Sequence, residues 1–110
     1  MQKAKIVEVV TGAPKQGISM EEAKAAIMGL NQFVKEQPGF IERKTSINSE
    51  GFLLDVIYWT DMESATKASE SAINTGVLHP ILETIEEETM KMEYFEVFNS
   101  IGTEATNLEQ

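Results

Sequence analysis

The chain has 110 residues, 42% hydrophobic and 25% charged, with 18 acidic against 9 basic side chains and a formal net charge of −9. That length suits one domain of about 100–150 residues, and so acidic a balance makes nucleic acid and anionic membranes poor partners. Cysteine is absent, which excludes a disulfide scaffold, a thiolate metal site and a cysteine nucleophile.

Residues 4–12 open the fold. Ile6, Val7, Val9, Val10 and Thr11 place apolar or β-branched groups on both faces, the pattern of a central strand. Gly12-Ala13-Pro14-Lys15-Gln16-Gly17 breaks it. Ser19-Met20-Glu21-Glu22 then reads as a capping box. Met20, Ala23, Ile27, Leu30 and Val34 follow at three- and four-residue steps, one apolar face of a single helix that stops at Glu36 before Pro38-Gly39.

Phe40–Ile47 and Phe52–Thr60 read as a hairpin around Asn48-Ser49-Glu50-Gly51. A four-residue loop sets Lys44 opposite Asp55 and Ile41 opposite Tyr58, a register that the charge match favours. Thr60-Asp61-Met62-Glu63 reads as a second capping box, opening a helix to about Asn74. Its inner positions, Met62, Ala65, Ala68, Ser69 and Ala72, are mostly small and leave room against a sheet. Thr75-Gly76 ends it. Pro80 starts a short helix as a first-turn proline, with Leu78, Ile81, Leu82 and Ile85 on its apolar face. Met90–Phe98 is the last strand, and residues 99–110 form a polar tail. No run approaches the ~18 apolar residues of a membrane span. The expected location is cytoplasmic.

The order βαββαβ predicts an α+β, ferredoxin-like split βαβ sandwich over residues 1–98. Right-handed crossovers put the helices on one face of a four-stranded antiparallel sheet. The other face, expected to carry Val7 and Val9 with part of Leu53, Ile57 and Trp59, then needs cover, which predicts a homodimer packed sheet to sheet.

Pro38-Gly39-Phe40-Ile41, the hairpin, Tyr58-Trp59 followed by an acidic capped helix, and His79 after that helix resemble the antibiotic biosynthesis monooxygenase group over residues 4–98. The resemblance implies a dimeric α+β barrel with a pocket between sheet and helices in each subunit. Some members of that group oxidise polyketide phenols or quinols without a cofactor, others degrade haem, and many have no assigned activity. Haem-degrading members use a first-strand asparagine and a second-helix tryptophan beside the histidine. Here those stretches read Val7-Glu8-Val9 and Lys67-Ala68-Ser69-Glu70, so haem degradation is disfavoured.

His79, the only histidine, resembles the family position that faces the pocket and is the first candidate base. The alternative is a capping or structural histidine. Glu8, mid-strand, is the second candidate: burial would raise its pKa, and Arg43 or Lys44 would pair with it if it is structural. Tyr58 and Trp59 are candidate substrate contacts or core fillers. Met62 and Ser69 are the further candidate contacts. The chain lacks GxGxxG, P-loop and HExxH motifs, and with one histidine and no cysteine neither metal nor cofactor is expected. The leading function is therefore a cofactor-independent monooxygenase for a small aromatic, phenol- or quinol-like substrate. The alternative is a non-catalytic, small-ligand-binding or stress-related dimer.

Overall fold

The computed structural model describes residues 3–102. Four strands, β1 (Ile6–Gly12), β2 (Phe40–Ile47), β3 (Leu53–Trp59) and β4 (Lys91–Glu96), form one antiparallel sheet in the order β2-β3-β1-β4. Helices α1 (Met20–Met28), α2 (Asn31–Lys35), α3 (Met62–Thr75) and α4 (His79–Thr84) complete the α+β ferredoxin-like sandwich. β1 is central, as its two-sided apolar pattern requires. Beyond residue 102 the polar tail lies outside the described residues.

The first helical segment starts as its sequence dictates. The Ser19 hydroxyl accepts from Glu22 N, and the Glu22 carboxylate accepts from Ser19 N at 2.9 Å. The single helix expected to Glu36 is instead two. At Gly29-Leu30 the ladder tightens, Leu30 N reaching back to Ile27 O, and α2 begins anew with no side-chain cap. Gly29 supports the continuous helix poorly. The cap of α3 is Asp61, one residue later than expected, accepting from Ser64 N at 2.8 Å. Gly76 ends α3 in the left-handed region.

The hairpin register differs from expectation by one residue. Asn48 joins the ladder, its N–H donating to Phe52 O, and its side-chain oxygen accepts from Glu50 N and Phe52 N. Gly51, at φ +86°, closes the shorter loop as a left-handed residue. Asp55 therefore faces Thr45, and Lys44 faces Val56. A bulge at Ile41 restores the pairing of Phe40 with Trp59.

The same alternation decides the faces. Leu53, Ile57 and Trp59 are buried under the helices, which corrects the expectation that they help to cover a partner. The free face carries Val7, Val9, Leu54, Val56, Tyr58 and Phe95 by register. Leu54 and Phe95 are exposed on it.

Pro38-Gly39 has a tertiary reason. Gly39 sits at φ +86°, and an added Cβ would run into the Ser64 side chain and the Thr60 hydroxyl. Thr60 N donates to Gly39 O at 2.9 Å. Gly39→Ala should therefore destabilise the protein by more than about 1 kcal/mol. A lowered urea midpoint at unchanged slope is the expected readout.

Two hydrophobic clusters lie between sheet and helices. One gathers Ile6, Val34, Ile57, Trp59, Ala65 and Ala68. The other gathers Ala23, Ile27, Leu53, Ile81 and Ile85. No helix among the described residues is long and apolar enough to cross a membrane.

Candidate functional site

The cavity lies between the two clusters. It has a volume of about 280 Å³ and takes walls from both, including Ile27 and Leu53 on one side and Ile57, Trp59 and Ala68 on the other. Its helix-side wall is low because α3 presents Ala68, Ser69 and Ala72. A larger residue at any of these three positions would fill the space.

Glu8 supplies the buried charge. It occupies the helix-facing side of β1, level with Ile57 on β3 and Tyr94 on β4. Only 8% of it is exposed, and it lines the cavity. Oε1 accepts from the Trp59 indole N–H at 3.0 Å. Burial raises its pKa above the usual carboxylate range, and the Asp55 charge adds to the rise. The indole bond and Arg43 oppose it. Trp59 is held in turn by Phe40, edge on at 6.1 Å between ring centroids.

Arg43 does not pair with Glu8, nor does Lys44. Arg43 grips Asp55 with two bonds, Nε to Oδ1 at 3.0 Å and a second nitrogen to Oδ2 at 2.8 Å. Its remaining nitrogen donates to Asn31 Oδ1 at 2.8 Å. This buried pair leaves Glu8 as the carboxylate at the cavity without a cationic partner. Lys44 instead meets Glu42 at the surface, 3.3 Å away. On the far side of Glu8, burial raises the Tyr94 phenol as well, with Ser69 acting against the rise.

No family model matches the sequence, and no curated protein is significantly similar to it. Solved structures do match. The cofactor-independent oxygenase SnoaB of Streptomyces nogalater aligns over 92% of this chain and 100% of its own at TM-score 0.75, with 13% identity. The fold is that of the antibiotic biosynthesis monooxygenases. A monooxygenase from the ActVA-Orf6 gene of Streptomyces coelicolor, solved with nanaomycin D, aligns over 91% and 93% at TM-score 0.69 and 16% identity. A candidate antibiotic biosynthesis monooxygenase of Nitrosomonas europaea aligns over 93% and 98% at TM-score 0.71 and 16% identity.

Within this fold the candidate residues separate. Glu8, Trp59 and Ser69 meet at the cavity. Tyr58 points to the opposite sheet face, because it adjoins Trp59 on an alternating strand. Met62 is 43% exposed on the first turn of α3, away from the cavity, whereas Met90 and Met92 line it. His79 is also outside. It is the first residue of α4, its side chain is 74% exposed, and Nε2 lies 3.1 Å from Glu83 of the next turn. Leu78 and Ile81 take the inward positions on either side of it. Among the described residues no three His, Asp or Glu side chains converge to hold a metal. Sequence reasoning missed Arg43, Asp55 and Asn31 as a linked group. Their order along the chain carried no signal of it, beyond the opposite charges on adjoining strands.

Burial of Glu8 has a consequence for stability. Its folded pKa is raised, so the folded state holds this proton more tightly than the unfolded chain does. The contribution is fully present below the unfolded pKa and is lost as pH rises through the folded one. Glu8→Gln keeps an oxygen to accept the indole N–H and removes the buried charge. Its melting temperature should exceed the native value at pH 8, with the gap closing as pH falls into the ordinary carboxylate range.

Proposed function

We propose that this protein is a cofactor-independent monooxygenase acting on a small aromatic, phenol- or quinol-like substrate, with Glu8 as its base. The observation that carries this reading is a carboxylate held in no ion pair, raised in pKa by burial, in the wall of an apolar cavity. A base poised above the usual carboxylate range is what proton abstraction near neutrality requires. At about 280 Å³ the cavity falls just below the usual range of ligand sites, ~300 to 1,000 Å³, which suits a small substrate.

The chemistry places little demand on the protein. Glu8 removes a proton from a ring CH₂ whose conjugate carbanion is delocalised as a phenolate. The carbanion gives its electrons to dioxygen, forming a carbon–oxygen bond and, with the proton, a hydroperoxide. Loss of the second hydrogen from that carbon expels one oxygen as water and leaves a carbonyl. One O₂ is consumed, one oxygen enters the product, and the other leaves as water with both hydrogens. Trp59 holds the base in place, and the apolar walls keep competing water away.

The experiment is oxygen uptake with anthrone and with a naphthohydroquinone. The expected result with anthrone is one O₂ per substrate, with one ¹⁸O from ¹⁸O₂ in the product carbonyl. Uptake no faster than in buffer, while the ligand still binds, would replace this reading with the binding-protein alternative.

The same reading includes a homodimer. The free face of the sheet presents Val9 and Val56 side by side, and apolar faces of that kind pack against a second copy. Val56→Asp should give a monomer or fail to fold, and native protein should scatter light as a dimer at micromolar concentration. A native monomer there would rule the dimer out.

A further inference from the structure

The two halves of the first helical segment belong to different parts of the core. α1 packs on α4, and its Ala23 and Ile27 sit in the cluster with Ile81 and Ile85. α2 packs on β2, and its Val34 and Phe33 sit with Trp59 and Ile57. Leu30, at the break, touches both clusters. The cavity occupies the gap between these clusters, and α2 and the turn after it cover one side of it through Phe33, Val34 and Gln37.

α2 is five residues long and has no side-chain cap at its start. The polar residue available there, Asn31, is turned outward from its own backbone to accept from Arg43 at 2.8 Å. Arg43 is rigid, since its other nitrogens hold Asp55 and its side chain is 4% exposed. One hydrogen bond to a charged, fixed donor thus ties the start of α2 to the sheet, beside the packing of Val34 and Phe33.

We propose that α2 is a lid on the cavity, hinged at Gly29-Leu30 and latched by the Asn31–Arg43 hydrogen bond, and that this latch sets the rate of ligand entry. The lid motion stands on the helix break and the bond. Its role in entry rests on the reading of the cavity as a substrate site.

Two variants push the lid in opposite directions. Asn31→Ala removes the latch and leaves the Arg43–Asp55 pair intact. Gly29→Ala stiffens the hinge, because Gly29 is already right-handed at φ −61° and its new Cβ would meet only the Ala25 and Ala26 carbonyls at 3.4 Å. Native-state hydrogen exchange reads the motion without a ligand. Amides of residues 31–37 should exchange about tenfold faster in Asn31→Ala, the usual worth of a bond to a charged group, and slower in Gly29→Ala, with residues 20–28 little changed. If residues 20–37 respond as one unit in both variants, or not at all, there is no lid. Stopped-flow quenching of Trp59, the single tryptophan, by 1-naphthol reads entry. Entry should quicken about tenfold in Asn31→Ala and slow in Gly29→Ala. Unchanged entry rates with naphthol bound would remove the latch's role. Failure of naphthol to bind native protein would count against the substrate site and against gated entry, while the exchange data still decide the lid.

Discussion

Glu8→Gln should lower turnover of the aromatic substrate by about 10²–10⁴-fold, the usual worth of a positioned general base. The fold should survive, since glutamine fills the same volume and its oxygen still accepts from the Trp59 indole 3.0 Å away. The native pH profile should show the same group. Glu8 works as a base only when ionised, so kcat/KM should rise with pH as its proton leaves, with a midpoint above the ordinary carboxylate value of 4.5. That limb should vanish in Glu8→Gln. His79→Ala, by contrast, should leave turnover within about twofold of native, because this exposed side chain touches Glu83 and not the cavity. A Glu8→Gln variant of native activity would remove Glu8 from the chemistry. Together with the expected gain in thermal stability at pH 8, the loss of activity would mark a group kept for function at a cost to the fold.

Arg43→Met should destabilise the protein by about 3–5 kcal/mol, the range for breaking a buried ion pair from one side. The cost arises from what remains. Asp55, 16% exposed, would lose both guanidinium bonds, and its charge would act on Glu8 without the opposing charge of Arg43. The double variant Arg43→Met/Asp55→Leu should recover most of the loss, since replacing a whole buried pair with apolar groups is often nearly neutral. Urea unfolding of the single and double variants checks both. A single variant within 1 kcal/mol of native would mean that Asp55 is well solvated after all.

The capping box at Ser19-Glu22, the Pro38-Gly39 break, the hairpin and the proline-led fourth helix were legible because each is local. A hydroxyl three residues from a carboxylate, or a glycine forced to positive φ, declares itself within a few positions. The order of these elements in turn limits the topology to a few, and the right-handed crossover selects among them. Glu8 was legible as well, since a carboxylate in the middle of a β-branched run has to be explained wherever the strand lies.

The site itself needed the tertiary structure. Asn48 joining the ladder shortens the hairpin loop by one residue, and a one-residue shift changes every cross-strand partner. Asp55 thereby loses Lys44 as its opposite number, and Arg43, diagonal to it on the same face, takes its charge. Which of two adjacent aromatics meets the cavity is likewise decided by the sheet: Trp59 faces the helices and Tyr58 the free face. His79 turns outward because Leu78 and Ile81 fill the inward positions of its short helix. The chain by itself thus determined the elements and their order, which depend on neighbours a few residues away. Register, facing and the partners of the buried charges depend on groups brought together from distant positions, and only the folded sheet and its helices decided them.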